Sequence, residues 1–152
     1  MKVSRRLVTS FAAASACFGA IAPSLAAPPV YQKNGYALDG FDAVAYFTTQ
    51  KPVKGQAAFS SSWRGATWLF ASAENKAKFD ATPEAYAPQY GGHCSLAMTE
   101  GKRSSGDPQA WRVHNGKLYL NGSPKVQETW LFRIDQNIKN ADWWWQKSYA
   151  NL

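Results

Sequence analysis

The sequence has few of the residues that usually carry chemistry or cross-link an exported protein. In 152 residues it contains two cysteines, two histidines and two methionines. Cys17 lies in the N-terminal leader, so Cys94 is the one thiol of the remaining chain, and an internal disulfide is excluded. The sequence also has no Ser-His-Asp set in recognisable form, no phosphate-binding loop and no H-E-x-x-H or paired C-x-x-C motif. It therefore favours no class of enzyme, and we do not expect catalysis.

Long apolar runs are also missing, and the one apolar stretch is typical of a signal peptide. Basic residues within 1–6 precede an apolar or small-residue stretch at 7–22, and Ser24-Leu25-Ala26 fits a cleavage site before Ala27. The stretch is too short and too rich in alanine for a membrane span. We expect residues 1–26 to be a signal peptide and the protein to be exported, periplasmic or secreted.

The route of export stays open between two alternatives. Ser4-Arg5-Arg6 resembles the start of a twin-arginine signal, but Val8 and Thr9 stand where stronger apolar residues are usual. A lipoprotein start at Cys17 is disfavoured because Ala14 occupies a position where Leu is expected. Removal of residues 1–26 leaves 126 residues, about one domain. We expect an extended N-terminal arm at 27–35 and a single domain at 36–152, with no membrane segment.

Charge and aromatic content limit the partners and the core. The leader carries three positive charges, so the formal net charge falls from +7 to +4 on its removal. Lys and Arg form no run or stripe, which argues against a nucleic-acid partner. Of the 22 aromatic residues, all but Phe11 and Phe18 remain in the mature chain. We expect a compact aromatic core, because each such side chain buries a large area.

Local patterns predict an α+β fold in which a small antiparallel sheet with hairpins packs against short helices and a C-terminal helix. Trp111-Arg112-Val113-His114 and Lys117-Leu118-Tyr119-Leu120 flank Asn115-Gly116, a pattern that specifies a two-residue type I′ hairpin. Strands are also predicted at 59–63 and 66–71, joined by Arg64-Gly65. A strand and a short helix are predicted within 36–47.

Helix signals complete the predicted element order. Ser72 is a helix N-cap, and Pro83 opens a helical turn over 82–86. Ser123-Pro124 starts a C-terminal helix whose apolar stripe recurs at helical spacing at Val126, Trp130, Ile134 and Ile138. We expect Asp42 to be a turn or cap acceptor. Adjacent tryptophans on a helix point in different directions, so Trp143 to Trp145 are expected to be partly packed and partly exposed.

The soft or borderline metal ligands of the mature chain all lie within residues 93–114. They are His93, Cys94, Met98 and His114. Copper and zinc prefer thiolate, imidazole and thioether donors. Gly91-Gly92 permits a sharp turn, and a helix over 94–99 would place Cys94 in its first turn, where the helix dipole favours a thiolate. Cys94 and Met98 would share one face of that helix.

Each of these residues also has an ordinary structural interpretation. Cys94 is either a small buried hydrophobic residue or a reactive or ligating thiol. Met98 is either core filler or a ligand, and His93 either a loop residue or a ligand. His114 stands next to a hairpin turn, where a solvated surface histidine is expected. If Cys94 anchors a metal site, we expect it to be at least partly accessible, with Met98 or His93 within ligand reach.

Several spaced motifs resemble the YHS domain family. The run F-S-S-S-W-R-G-A-T-W-L-F-A-S-A-E-N-K-A-K-F-D-A-T-P-E-A-Y (Phe59 to Tyr86) is similar to its strand, turn, strand and helix, which form a small metal-associated module. Stretches at 36–47 and 90–94, with G-D-P-x-A-W and G-K-L-Y-L-N, extend the likeness to the exported, stand-alone branch. The resemblance covers roughly residues 36–130.

One departure from the family pattern decides where a metal can bind. Members attached to heavy-metal transporters carry F-C-S-x-x-C, whereas this chain reads Phe70-Ala71-Ser72-Ala73-Glu74-Asn75 in the same register. Both expected thiol ligands are absent, so a metal role depends on the cluster around Cys94. The resemblance implies an exported metal-binding accessory protein with a thiol-centred soft site, and copper is the preferred metal. A metal transporter or redox protein is the expected partner.

Two alternatives of other classes remain beside this hypothesis. In the first, Cys94 is a single redox-active cysteine with His93 as a neighbouring base, although the chain supplies no resolving thiol. In the second, the protein is a structural or interaction domain with no metal, with an aromatic surface around Trp143 to Trp145. The arrangement of side chains around the Cys94 sulfur distinguishes these hypotheses.

Overall fold

The structure is a computed structural model that describes residues 29–149. The predicted signal peptide, its cleavage site before Ala27 and Cys17 lie outside the described residues. Over the described range, no helix combines the length and the apolar character needed to cross a membrane.

Strands and short helices alternate along this range. The strands are β1 (Gln32–Lys33), β2 (Tyr36–Ala37), β3 (Gln56–Trp63), β4 (Ala66–Phe70), β5 (Asp107–His114) and β6 (Lys117–Asn121). The helices are α1 (Ala45–Thr48), α2 (Ala73–Ala81), α3 (Pro83–Tyr86), α4 (Ser95–Met98), α5 (Pro124–Leu131) and α6 (Ile134–Ser148). Two tight turns, Leu38–Gly40 and Gln89–Gly92, contain residues with left-handed backbone angles. The fold class is α+β, as predicted.

The strands form two sheets. The larger has the order β1-β2-β4-β3, and β5 pairs with β6 alone. The β1–β2, β3–β4 and β5–β6 pairs are antiparallel, as predicted, and the β2–β4 pair is parallel, with Tyr36 opposite Thr67. A parallel neighbour is possible here because α1 and β3 intervene between the two strands and supply the crossover.

The turn and cap signals act as the sequence predicts. Asn115 and Gly116 have φ of 49° and 72°, and His114 pairs with Lys117, which is the expected type I′ geometry. The Ser72 hydroxyl accepts from Asn75 N at 3.1 Å, and the Ser123 hydroxyl accepts from Val126 N at 3.2 Å. Asn34-Gly35 forms a further tight hairpin between β1 and β2, within the segment expected to be an extended arm.

The predicted single C-terminal helix is two helices. α5 ends at Leu131 and α6 begins at Ile134, because Arg133 leaves the helical region (φ −134°, ψ 48°). The Asn137 amide donates to the Trp130 carbonyl at 2.7 Å and so satisfies a carbonyl left unpaired at the end of α5. Trp143 is 54% exposed whereas Trp144 and Trp145 are half-buried, as expected for adjacent tryptophans.

Two apolar clusters form the core, and β6 contributes to both. Leu118 and Leu120 join a cluster built mainly from residues 37–87, which includes Trp68, Phe70 and Phe79. Tyr119 points to the other side and joins Tyr90, Met98, Trp130 and Ala141. This alternation follows from the two-residue period of a strand. The segment from Tyr90 to Met98 therefore lies beside β6, at the junction of the two clusters.

Candidate metal centre

The Cys94 segment is positioned by a left-handed turn. Tyr90, Gly91 and Gly92 have φ of 54°, 62° and 82°, a conformation that glycine adopts without strain. Tyr90 is held in it by burial and by its hydroxyl, which donates to Asp142 Oδ1 at 2.8 Å. Burial, with this hydrogen bond, raises the pKa of Tyr90. The chain then extends through His93 to Cys94, which is the N-cap of α4.

Cys94 is enclosed by backbone on two sides. Its N–H donates to Ser104 O at 2.9 Å, and it forms an isolated parallel bridge with Leu120 of β6. The residue is 3% exposed, so the expectation of partial accessibility was wrong. The thiol points towards Asn121, with Sγ 3.9 Å from Oδ1, and the same Oδ1 accepts from Leu96 N at 3.1 Å.

Met98 lies one helical turn beyond Cys94, and its N–H donates to Cys94 O at 3.1 Å. The two residues are therefore related as the helical spacing predicts. The Met98 side chain is fully buried and belongs to the second apolar cluster, together with Trp130 and Tyr119. It has a packing role whether or not its sulfur also serves as a ligand.

His93 has the features of a neutral imidazole with one free lone pair. Its Nδ1 lies 3.3 Å from Ser104 O, and because a carbonyl can only accept, Nδ1 carries the proton. Burial lowers the pKa of His93. The other ring nitrogen, Nε2, is buried and finds no partner among the described residues. Metal-binding histidines commonly donate one N–H to a backbone carbonyl and bind through the other nitrogen.

His114 lies away from these residues. Its Nε2 is 3.0 Å from Asp135 Oδ1 of α6, at the turn end of the β5–β6 hairpin. His114 pairs with Lys117, whereas Cys94 bridges Leu120, three residues further along β6. That separation is about 10 Å along a strand. Across residues 29–149, no three His, Cys, Asp or Glu side chains converge to hold a metal ion.

Two polar residues beside the thiol were missed by the sequence analysis. Ser95 and Asn121 are fully buried, and their Oγ and Nδ2 atoms, like His93 Nε2, have no hydrogen-bond partner in the described part of the chain. Buried polar groups are normally paired, so the unpaired Nδ2 of Asn121, whose Oδ1 lies 3.9 Å from Cys94 Sγ, marks a place suited to a ligand or water. A polar Asn ending the apolar run Leu118-Tyr119-Leu120 was the available sequence signal.

The F-C-S-x-x-C register has a different use in this chain. Its two thiol positions are Ala71 and Asn75. The Ala71 N–H donates to Asp42 Oδ2 at 2.8 Å, and the Asn75 amide donates to the same oxygen at 2.7 Å. Asp42 is fully buried, and Oδ1 also accepts from Val44 N and Ala45 N. In this chain, the two positions that carry thiol ligands in transporter-attached members, Ala71 and Asn75, are therefore part of the hydrogen-bond network around Asp42.

A comparison with protein-family models supports the resemblance to the YHS domain. The model of the YHS domain matches residues 44–90, which run from the start of α1 through both strands of the β3–β4 hairpin to the turn before His93. Neither curated proteins nor solved structures gave a significant match. Residues 44–90 of the chain are therefore similar to the YHS domain.

Proposed function

We propose that the protein is an exported accessory protein that binds copper(I) through the Cys94 thiolate. The YHS domain is associated with heavy-metal handling, and the leader at 1–26 has the pattern of a signal peptide. Copper(I) suits the site because it accepts two or three soft ligands, whereas structural zinc normally takes four N or S donors. The physiological partner is a metal transporter or a redox protein.

The observation that carries this proposal is the buried, unpaired Nε2 of His93, the residue that precedes Cys94 in the chain. Nε2 is buried without a partner, while Nδ1 is engaged by Ser104 O. The Nε2 atom of the neutral imidazole thus has a lone pair available for a metal ion, and no hydrogen bond from the described residues offsets the cost of burying it. We assign Cys94 as the anchoring ligand, with His93 and Met98 as the candidate second and third donors. His114, engaged with Asp135, is not part of this site.

Copper(I) competition with a chromogenic chelator tests the proposal. The reduced protein starting at Ala27 is compared with Cys94→Ser, His93→Gln and Met98→Leu, and His114→Gln is the matched histidine control. We expect Cys94→Ser to lose at least about tenfold in affinity, or about 1.4 kcal/mol. His93→Gln should also weaken binding, and His114→Gln should not. Equal affinity of the wild type and Cys94→Ser would exclude copper binding at this site.

A second candidate, reversible oxidation of Cys94, is favoured by a different observation. Asn121 Nδ2 and Ser95 Oγ are buried hydrogen-bond donors. Both groups can donate to an oxygen atom carried by the sulfur, and the amide NH₂ group of Asn121 has no lone pair with which to ligate a cation. With a hydroperoxide as oxidant, the sulfur would attack one peroxide oxygen, the O–O bond would break, and water or an alcohol would leave with the thiol proton. The product is a sulfenic acid, which a partner thiol would convert to a mixed disulfide with release of water.

Sulfenic-acid trapping separates this candidate from the first. Peroxide-treated protein is reacted with a cyclic diketone and the adduct on Cys94 is measured by mass spectrometry. Asn121→Leu, which removes the amide but keeps the volume, should reduce the yield of adduct. Adduct formation without copper affinity would favour the redox function, and copper affinity without adduct would favour the first proposal.

A further inference from the structure

Gly122 leaves an opening directly in front of the Cys94 sulfur. It follows β6, and its backbone is exposed. Apart from the flanking residues Asn121 and Ser123, a Cβ built on Gly122 would find two described heavy atoms within 4 Å: Ser105 O at 3.4 Å and Cys94 Sγ at 3.7 Å. The sulfur atom therefore faces the space that any other residue would fill with its side chain.

This opening lies on the floor of a surface groove. The groove has a volume of about 420 Å³, and Gly122, Ser105 and Gly106 contribute to its lining. The lining also includes Tyr31 and Phe41. Cys94 does not line the groove and is 3% exposed, so the thiol lies beneath its surface. Gly122 is the lining residue whose Cβ position comes within 4 Å of the sulfur.

The charges of the groove do not select ligands of one sign. Lys33 and Lys54 both approach Asp39, with Nζ to Oδ2 distances of 3.6 and 3.9 Å, and Asp107 adds a second carboxylate. The formal charges of these four residues cancel. Size is therefore the property by which this groove can discriminate among molecules that approach the thiol.

Behind the opening, the surroundings of the sulfur are polar. Asn121 is fully buried, its Oδ1 lies 3.9 Å from Cys94 Sγ, and its Nδ2 has no partner among residues 29–149. A cysteine buried only for packing would have apolar neighbours, because an unpaired amide costs free energy in the interior. This second observation indicates that the space reached through the gap receives a ligand.

We propose that Gly122 is a specificity-determining residue, whose missing side chain admits a metal ion or a small reagent to Cys94 and excludes a protein thiol. Copper(I) then arrives bound to small ligands that release it in the groove, so a partner transporter or redox protein exchanges copper with this site through such ligands and not by direct thiolate exchange. This inference rests on the proposed function for the identity of the cargo. The size selection itself is a property of the opening and can be measured without copper.

The test measures how fast Cys94 reacts in the native protein with methyl methanethiosulfonate and with the bulky Ellman's reagent. Rates are normalised to those of the urea-unfolded protein. The wild type should favour the small reagent strongly. Gly122→Ala places a methyl group 3.7 Å from the sulfur, and the backbone at Gly122 is not left-handed. It should slow the small reagent by at least about tenfold, because thiol reactivity follows access.

Ala58→Val is the matched control, since it adds bulk at an exposed position of β3, and it should leave both rates unchanged. Equal normalised wild-type rates for the two reagents would overturn the inference, because labelling would then occur through opening of the fold. So would a Gly122→Ala protein with unchanged rates. Size selection without copper affinity would disprove the copper proposal alone, and copper affinity without size selection would disprove the opening alone.

Discussion

Asp42 shows how one residue can join segments that are distant in the sequence. Its carboxylate accepts four hydrogen bonds: Oδ1 from Val44 N (2.8 Å) and Ala45 N (3.2 Å), and Oδ2 from Ala71 N (2.8 Å) and the Asn75 side chain (2.7 Å). These bonds tie the start of α1 to the end of β4 and the first turn of α2. The two oxygen atoms of a carboxylate can accept all four of these hydrogen bonds.

We predict that Asp42→Asn destabilises the fold by about 2–4 kcal/mol, because an amide presents an NH₂ group to donors and leaves buried N–H groups unpaired. Urea denaturation followed by tryptophan fluorescence measures the loss. Glu128→Gln, which also removes a carboxylate but at an exposed position of α5, is the control and should change stability little. A stable Asp42→Asn protein would mean that the four bonds contribute no net stabilisation.

At the residue scale, hydrogen bonds between residues close in the sequence could be predicted, and those between distant residues could not. The role of Asp42 as a turn acceptor is confirmed, since Val44 and Ala45 are two and three residues away. The bonds from Ala71 and Asn75 could not be predicted, because they span 29 and 33 residues. The position of Asn121 beside the thiol could not be predicted for the same reason, because it depends on the bridge between Cys94 and Leu120, which are distant in the sequence.

At the scale of the element, tight hairpins organise both sheets. Asn34-Gly35, Arg64-Gly65 and Asn115-Gly116 each join paired strands through two residues of positive φ. Such turns match the twist of the strands they connect. The β5–β6 hairpin matters most for the candidate site, because β6 carries Leu120 and Asn121 and is followed directly by Gly122.

We predict that Gly116→Val destabilises the protein by about 1 kcal/mol or more, because a β-branched residue is strained at a φ of 72°. Nothing lies within 4 Å of a Cβ at this position, so the cost reports backbone strain alone. Gly116→Asn is the control and should lose less, since Asn tolerates the left-handed region. An unchanged melting temperature for Gly116→Val would indicate a different turn.

Helix ends were less predictable than hairpins. The stripe Val126, Trp130, Ile134 and Ile138 keeps its four-residue spacing through the C-terminal region, so periodicity alone indicates one continuous helix. Despite the break at Arg133, Trp130, Ile134 and Ile138 all pack in the second apolar cluster and Val126 is half-buried, and the Asn137 amide of α6 donates to the Trp130 carbonyl across the break. A hydrophobic pattern specifies which face is buried, and it does not specify whether the axis is continuous.

At the scale of the whole molecule, residues 44–90, which match the YHS model, do not contain a complete apolar core. The first apolar cluster also includes Ala37 and Leu38, which precede this segment, and Leu118 and Leu120, which follow it. The buried Tyr46 hydroxyl donates to Pro108 O at 3.0 Å, and burial raises the pKa of Tyr46. Asp42, which joins α1, β4 and α2, also lies outside the matched segment.

We therefore predict that the isolated segment 44–90 does not fold, whereas residues 29–149 unfold in one cooperative transition. The segment would lack Leu118 and Leu120, which belong to the same apolar cluster as Phe70, Tyr46 and Val44, and burial of a large apolar side chain contributes about 1.5–3 kcal/mol. It would also lack the carboxylate of Asp42. Circular dichroism melting of both polypeptides provides the measurement, and segment 37–121 is the informative intermediate. Segment 37–121 restores the first cluster but lacks Trp130 and Ala141 of the second, so its melting temperature should be lower than that of residues 29–149. A cooperative transition of segment 44–90 alone would show that the hairpin β5–β6 is dispensable for the core.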